Sequence, residues 1–588
     1  MLHHPTDIVS SLAGVAAAVA ATGLAWVAGS CLAPTRPSDE RLAAGMLVLI
    51  GASGLLIAQP LIGWSLLAHP WLLRLLLVAG VGAAVWWRRP PLTPLPRPTR
   101  RWLAVAAVGL LVSFPILAAQ SLDVAIPGGD IAWHEGWIRQ LRGGVLEPVG
   151  LYAGVPSAYP WLYHALLGAT FQVFGLSMAT GLITAQALGL VLLALGIWLF
   201  CREAGLNPPA GTWGACLAIA GCGPAVLLVS RARLLDSPSP LTALANLPPL
   251  LPRDLGIALM GYVLWLGLRA ARSGSLSVAA ACGAVAGLIV LSSPLALVPA
   301  LGAALAMALV HRRWRAAAVE PAAGAGVALI WVAPLWWHAH RLGGLRNTTA
   351  PHLTDPPRAT SLVGLGVLAV LAVAGLVIAR RRDRIDSLAL GIPIAVAAAA
   401  WLGSVSLSGP VGGSMALTRG VRALPPVSLA LVAPAGLALA EAVQTAGRRA
   451  GLAVTVVASI VLFSSTAAAA WTLRDHLDRR ADAPVLSCPA LDVRAGDTIA
   501  VLPARRRGQI ALQMALFQRT GAYLYYAERP RVRFKSPHTA DQSSRLRTLH
   551  GLELGGPVPP GIDALVTLDR TADPACAFRG HPLSIRLP

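Results

Sequence analysis

The sequence predicts a polytopic α-helical membrane protein that carries a small α/β domain at its C-terminal end. Of its 588 residues, 56% are hydrophobic and only 12% are charged, whereas a soluble globular chain carries about 25% charged residues. Apolar runs recur through the first 473 residues, and many approach the roughly 20 residues that a spanning helix needs. From residue 474 onward, charged residues become frequent. We therefore divide the chain into a membrane domain, 1–473, and a C-terminal domain, 474–588.

The apolar runs predict about fourteen transmembrane helices, since neighbouring short runs can merge or split. The first run lacks a basic segment before it, so we interpret it as a retained span and not as a cleaved signal peptide. The candidate spans cover residues 8–32, 43–64, 68–87, 102–119, 176–200, 209–229, 255–270, 275–291, 294–310, 322–338, 361–379, 387–406, 424–445 and 451–471.

Arginine clusters between the spans predict the orientation of the chain. The net charge of +21 comes from short clusters in loops, which is typical of cytoplasmic loops and not of a nucleic-acid-binding surface. With the Pro-rich linker at 88–101 inside, four further clusters also fall inside, near residues 269–272, 312–315, 380–384 and 448–449. The same alternation places the 120–160, 230–254, 340–360 and 407–423 loops and the C-terminal domain outside the cytoplasm. The sequence thus predicts a multi-pass plasma-membrane protein that contacts membrane lipids and no nucleic acid.

The C-terminal domain contains short β-like runs at 498–502 and 564–568 and helical spacing of apolar residues over 509–517. Its length of about 110 residues is sufficient for a core of its own. Two of the seven cysteines, Cys488 and Cys576, lie in this polar segment. Outside the cytoplasm they can form a disulfide, with two free thiols as the alternative.

The outer loop at 120–160 carries the candidate catalytic residue, Asp130. This carboxylate follows Pro127-Gly128-Gly129 close to the end of a span, where desolvation is costly and an acidic residue indicates a role. A partly desolvated carboxylate is suited to accept a proton from a hydroxyl group. The alternative is that Asp130 only caps the helix that follows, because Asp before an apolar-periodic run is a favourable N-cap.

The residues after Asp130 predict an amphipathic helix at the membrane interface, with Trp133 and Trp137 as interfacial aromatics. Its polar residues, His134 and Glu135, either contact substrate or form a solvated face.

Further aromatic and polar side chains follow in the same loop and the start of the next segment. Aromatic rings with polar tips suit sugar faces and lipid-interface anchoring equally well. The candidates for substrate contact here are Tyr152, Tyr159, Trp161 and His164, joined by Trp337 and His338 at the outer end of a later span.

Arginines in outer loops run against the positive-inside bias and are therefore informative. Their guanidinium groups match the geometry of a phosphate, and a lipid-linked donor presents its phosphate at this height. The alternatives are lipid headgroup binding or an ion pair with a nearby aspartate. The candidates for the donor phosphate are Arg231, Arg233, Arg419 and Arg422.

Several chemistries lack their sequence signatures. No Walker A motif, no dinucleotide-binding glycine motif with its acidic partner and no HExxH motif is found. His338 and His340 have no nearby acidic or cysteine residue to complete a metal site. We expect no metal site and no tightly bound cofactor, and we expect a lipid-linked rather than a nucleotide-linked donor. The need for a divalent cation is left open.

The loop motifs resemble a known family. GGDIAWHEGWIRQL followed by LYAGVPSAYPWLYHALLG is similar to the corresponding loop of the actinobacterial galactan arabinofuranosyltransferase (AftA) family, within the GT-C glycosyltransferases. The residues that match that spacing are Tyr152, Gly154, Pro156, Tyr159, Pro160 and Trp161. The stretch FQRTGAYLYYAERPRVRF also resembles the C-terminal region of that family.

The resemblance implies a GT-C-like fold and an inverting sugar transfer on the outer face. The donor would be a polyprenyl-phosphate-linked arabinofuranose and the acceptor a cell-wall polysaccharide, with Asp130 as general base. Two alternatives remain: a transporter or flippase of a lipid-linked glycan, and a non-catalytic cell-envelope scaffold. The one-sided clustering of ionisable residues favours the enzyme over the transporter.

Overall fold

A computed structural model describes most of the helical part of the chain and much of its C-terminal part. The described residues are 5–56, 65–89, 130–145, 160–220, 252–341, 345–347, 359–406, 424–447, 449–458, 488, 492–502, 509–526, 532–534, 537–568, 576–578 and 581–586.

The N-terminal part is a bundle of helices, numbered here in chain order. The first seven are α1 (Pro5–Leu32), α2 (Ser38–Leu55), α3 (Pro70–Arg88), α4 (Asp130–Arg142), α5 (Leu162–Phe174), α6 (Met178–Glu203) and α7 (Pro208–Ala220). The next eight are α8 (Pro252–Ser273), α9 (Leu276–Ser292), α10 (Leu297–Val310), α11 (Trp314–Arg341), α12 (Ala359–Arg380), α13 (Ser387–Ser406), α14 (Leu424–Thr445) and α15 (Arg449–Ala458). Single 3₁₀ turns cover Leu66–Ala68 and Pro294–Ala296.

Six helices in the described ranges are long and apolar enough to cross a membrane, and several shorter apolar helices accompany them. Helix α3 has no buried residue, as expected for a lipid-facing helix. Tryptophans at both ends of α3 and α11 are at least 64% exposed, namely Trp71, Trp86, Trp87, Trp314 and Trp336. Trp314 and Trp336 are roughly 33 Å apart along an α-helix, close to the thickness of a bilayer core. These features are those of a membrane-embedded bundle.

The predicted count of about fourteen spans is not tested, because the 102–119 run and the ends of three other runs (43–64, 209–229 and 451–471) lie outside the described residues. One apolar helix, α5, was not predicted as an element. Its 13 residues are too few for a span, and its aromatic and histidine residues resembled a continuation of the preceding loop.

Arginine-rich loops gather at one end of the bundle, which we call the arginine end. Arg272 pairs with Asp386 at 3.1 Å, and Arg313 donates to a carbonyl at the end of α8 at 3.3 Å. Arg382 pairs with Glu441 at 2.7 Å, near the end of α14. The predicted placement of these clusters on a common face is therefore supported by direct contacts.

A buried ion network joins three helices near the arginine end. Glu40, only 5% exposed, accepts hydrogen bonds from Arg269 at 2.7 and 2.8 Å and pairs with Arg202. Arg202 also pairs with Asp39, and Arg269 pairs with Glu203 at 2.9 Å. Because each buried carboxylate faces an arginine, the charges are compensated inside the bundle.

The C-terminal part forms a mixed five-stranded sheet in the order β3-β2-β5-β7-β6. Its strands are β2 (Thr498–Leu502), β3 (Tyr523–Leu524), β5 (Ala564–Leu568), β6 (Ala577–Phe578) and β7 (His581–Arg586), accompanied by helices α16 (Gln509–Thr520) and α17 (Pro537–Glu553). Strand β2 pairs in parallel with β3 and β5, and β7 pairs antiparallel with β5 and β6. The predicted strands at 498–502 and 564–568 and the predicted helix over 509–517 are confirmed.

Two contacts tie this C-terminal part to the loops at the other end of the bundle. Strand β1 (Leu345–Asn347) pairs antiparallel with β4 (Val532–Phe534), so the 340–360 loop meets the C-terminal residues. Helix α4 packs against α16. Of the two alternatives for Cys488 and Cys576, the structure contains the disulfide, whereas the four free cysteines in the described ranges are buried in the helical bundle.

Candidate functional site

The candidate site is built around helix α4, which begins at Asp130 and lies between α5 and α16. Its end is fixed by Gly144, whose φ of +86° favours glycine. The Val145 N–H donates to the Gln140 carbonyl at 3.0 Å, which closes the last turn as in a Schellman motif. The structure describes the backbone of Asp130 and not its side chain, so both of its predicted roles stay predictions.

Helix α16 approaches α4 so closely that glycine is required on both sides. A Cβ atom added to Gly136 would lie 2.3 Å from the ring of Phe517. Gly521, just after α16, has φ +72° and faces Arg139, whose Cβ would be 2.9 Å from an added Cβ. The C-terminal part therefore packs directly against the second half of α4.

The opposite side of α4 faces α5 through two histidines. His134 Nδ1 lies 2.8 Å from His164 Nε2, which is a hydrogen bond whose donor depends on the tautomers. The rings of Trp137 and Tyr163 meet His164 edge-on, with centroid distances of 5.1 and 5.2 Å. Burial, together with the neighbouring His134, lowers the pKa of His164 well below its usual value. His164 is therefore held neutral in an aromatic cage.

Glu135 faces α16. Its carboxylate accepts a hydrogen bond of 2.7 Å from the Gln518 side-chain amide, and the bond joins residues 383 positions apart in the sequence. Both side chains are buried, at 8% and 9% exposure.

Two sequence predictions for α4 are corrected by this packing. The polar residues His134 and Glu135 do not form a solvated face, because α5 and α16 cover them. Trp137 is 8% exposed and packs on His134 and His164, so it is not an interfacial aromatic. The predicted helix itself is confirmed. The burial could not be read from its periodicity because its polar stripe pairs with other polar groups.

Of the predicted substrate-contact residues, the structure brings together His134, Glu135 and His164. Trp161 is buried just before α5, at 9% exposure. Trp337 is 54% exposed near the end of α11, away from these residues in sequence. The other predicted side chains lie outside the described residues: Tyr152, Tyr159, His338, Arg231, Arg233, Arg419 and Arg422. Sequence reasoning missed Gln518, which carries no local motif.

An apolar cavity of about 270 Å³ lies on the far side of α5 from α4. Its lining comes from α1, α2, α3, α5, α6, α8 and the 3₁₀ turn before α3, and includes Leu49, Ile50, Leu66, Leu166, Leu167 and Phe174. Because Leu166 and Leu167 follow His164 by one turn or less, the same short helix lines the cavity and contributes to the polar cage.

The C-terminal end of α4 also contacts α5. The Arg142 side chain packs beside Gly168 of α5, and the Gln172 amide bridges the carbonyls of Leu67 and Arg142 at 3.1 and 3.5 Å. Burial and the charge of Arg139 lower the pKa of Arg142. Within the described ranges no acidic side chain pairs with either arginine, so α4 ends in two half-buried positive charges, of which Arg142 lies beside α5 and Arg139 beside Gly521.

Among the described residues, no group of three or more His, Cys, Asp or Glu side chains is arranged to hold a metal ion.

Comparison with known proteins gives structural neighbours only. No protein-family model matches the chain, and no curated protein matches it. The chain is similar to the archaeal oligosaccharyltransferase AglB from Archaeoglobus fulgidus in complex with an inhibitory peptide and a dolichol-phosphate, with 12% identity, a TM-score of 0.41, and coverage of 79% of this chain and 69% of that one. It is also similar to ArnT from Cupriavidus metallidurans in the apo state, with 17% identity, a TM-score of 0.40, and coverage of 79% of this chain and 92% of that one.

Proposed function

We propose that the chain is a membrane glycosyltransferase that moves a sugar from a polyprenyl-phosphate donor to a cell-wall glycan on the outer face of the plasma membrane. By its loop motifs, the sugar is arabinofuranose. The donor and acceptor are substrates, and no tightly bound cofactor is required by this proposal.

The observation that carries the proposal is the arrangement around α5. An apolar cavity lies on one side of this helix, and the partly buried Arg142 packs against its other side at Gly168. A lipid phosphate has the matching chemistry, an apolar chain joined to an anion. Arginine binds phosphate through charge-assisted hydrogen bonds, and a positive charge near the leaving phosphate stabilises the charge that develops as the sugar departs. Arg231, Arg233, Arg419 and Arg422 are proposed to contribute to the same phosphate site.

In the proposed reaction, the acceptor hydroxyl oxygen forms a bond to the anomeric carbon while the bond from that carbon to the phosphate oxygen breaks. The polyprenyl phosphate leaves with the bonding electrons, and the configuration at the anomeric carbon inverts. Asp130, at the start of α4, takes the hydroxyl proton as general base. Asp130 belongs to the first turn of α4, and this helix is held by α5 on one side and by α16 on another, so the backbone that carries the carboxylate is held in place.

The outer location is supported by two features. The Cys488–Cys576 disulfide is of the kind that persists in oxidising compartments. The loops that meet the C-terminal part lie at the end of the bundle away from the arginine end, which by the positive-inside rule is cytoplasmic.

The proposal is tested by reconstituting the purified protein in liposomes with a galactan oligosaccharide and a panel of polyprenyl-phosphoryl sugars, each labelled in the sugar. Transfer of label from the arabinofuranosyl donor, with none from a nucleotide sugar, is expected. Transfer from another lipid-linked sugar would keep the reaction class and replace the substrate. Absence of transfer from every lipid-linked donor, by protein that retains its thermal unfolding transition, would contradict the proposed function.

A further inference from the structure

The Glu135–Gln518 contact joins the membrane bundle to the C-terminal part at the helix that begins with Asp130. Glu135 lies five residues after Asp130, in the second turn of α4, and its carboxylate is 2.7 Å from the Gln518 amide nitrogen. Gln518 belongs to α16, in the C-terminal part. This is a long-range bond between two parts of the chain, on the same helix as the proposed general base and five residues after it.

The groups in this contact are unusual choices for packing alone. Burying a carboxylate costs free energy unless it is well hydrogen-bonded, and an apolar side chain of similar volume would stabilise the interface more. The surrounding interface is otherwise close and apolar, with Gly136 against the Phe517 ring and Ile138 and Phe517 fully buried. A directional hydrogen bond in such an interface fixes the rotation and sliding of one helix against the other, which apolar contacts do not.

The other side of α4 is fixed as well. His134, adjacent to Glu135 in sequence, bonds to His164 of α5 at 2.8 Å. Successive side chains on a helix are about 100° apart, so the two bonds hold α4 from different directions at the same height. The first turn of the helix, with Asp130, projects from this point.

We propose that Glu135 and Gln518 are positioning residues: the C-terminal part sets the place of Asp130 through their hydrogen bond. The inference rests on the proposed function for its catalytic consequence, although the mechanical link between the two parts can be measured without it. Neither residue touches substrate in this account, and both act through α4.

The test exchanges the two groups. In Gln518→Glu, two carboxylates face each other in a buried interface and repel. In the double variant Glu135→Gln/Gln518→Glu, an amide again faces a carboxylate with donor and acceptor reversed. The matched control is Gln513→Glu, the same substitution on the same helix at a residue 2% exposed, whose amide donates to the Tyr526 carbonyl within the C-terminal part.

Two readouts separate this inference from the proposed function. Hydrogen–deuterium exchange over residues 130–142 should rise at least about tenfold in Gln518→Glu, return to within threefold of wild type in the double variant, and stay unchanged in Gln513→Glu. If the wild type transfers sugar, kcat should fall in Gln518→Glu, recover in the double variant and stay unchanged in Gln513→Glu. The donor KM should stay within about twofold in all three variants. Unchanged exchange of α4 in Gln518→Glu, or no recovery in the double variant, would overturn the inference whatever the activity. Normal α4 coupling in a protein that transfers no sugar would leave the link intact and remove the proposed function.

Discussion

His134 and His164 share a 2.8 Å hydrogen bond between ring nitrogens, although thirty residues separate them, and neither is more than 6% exposed. Such a bond needs an unprotonated nitrogen as its acceptor. If both rings were protonated, two N–H donors would face each other, and two positive charges would lie in an aromatic cage. The contact between α4 and α5 therefore requires at least one neutral histidine.

The pair predicts an acid-sensitive fold. Burial lowers the pKa of His164 well below its usual value, so the folded chain binds fewer protons than the unfolded chain, where a histidine titrates near about 6.5. The His164 contribution is therefore fully present above that pH and is lost as the pH falls from about 6.5 toward the lower folded pKa, with a slope of at most about 1.4 kcal/mol per pH unit.

This dependence is measured by thermal unfolding in detergent at pH 7.5 and pH 5.5. The drop between the two should shrink in His164→Gln and remain in His550→Gln, a control whose side chain is 49% exposed. An equal drop in wild type and His164→Gln would show that the pair does not carry the acid sensitivity.

Arg142 is predicted to bind the phosphate of the lipid donor. Arg142→Gln should raise the donor KM about tenfold, as expected for loss of one charge-assisted hydrogen bond. The free energy of unfolding should change by less than the binding free energy that this tenfold change represents. Arg382→Gln makes the same substitution at the arginine end, where the side chain pairs with Glu441, and should leave the donor KM unchanged. Equal donor KM values in wild type and Arg142→Gln would exclude this arginine from the donor site and leave Arg231, Arg233, Arg419 and Arg422 as candidates.

The buried ion network predicts a large stability difference between two similar substitutions. Glu40→Gln removes the buried carboxylate that Arg202 and Arg269 share, so that Arg202 keeps only Asp39 and Arg269 only Glu203. We expect a loss of about 2–4 kcal/mol in unfolding titrations with SDS. This loss is smaller than expected for a fully buried ion pair, because the Arg202 side chain is 32% exposed and water screens its charge. Glu441→Gln breaks a pair whose arginine is 42% exposed, so about 0–1 kcal/mol is expected. Losses of the same size would contradict the structural role of the network.

The orientation predicts which cysteines an impermeant reagent can reach. On intact cells, a membrane-impermeant maleimide should label Cys488 and Cys576 only after treatment with an impermeant phosphine reductant, because they are bonded to each other. A cysteine introduced by Ser273→Cys, at an exposed position of the arginine end, should react only after lysis. The reverse pattern would place the C-terminal part in the cytoplasm.

Local patterns in the sequence predicted much of the helical bundle. Most apolar runs form helices near the expected bounds, because composition and length decide a membrane helix. The alternation of arginine clusters predicted their common end, now seen in the contact of Arg272 with Asp386. The strands at 498–502 and 564–568 could also be predicted from their β-branched residues, whereas the bond between Cys488 and Cys576 was one of two alternatives.

The composition of the site could be predicted only in part. His134 and Glu135 were singled out because acidic and imidazole groups are conspicuous beside a span, whereas the role of Asp130 stays a prediction. Their burial was missed, because it depends on Gln518 and Phe517, almost four hundred positions later. Helix α5 was missed because its 13 residues fit neither a span nor a polar loop. Periodicity reports the faces of one helix, and it does not report which distant helix covers them.

The proposed general base gives the most direct test of the whole account. Asn caps a helix about as well as Asp and cannot accept the hydroxyl proton, so Asp130→Asn separates catalysis from capping. In liposomes with labelled polyprenyl-phosphoryl arabinofuranose and galactan, its turnover should fall at least about 10²-fold, with donor binding and the exchange of residues 130–142 unchanged. Wild-type turnover by Asp130→Asn would contradict the account.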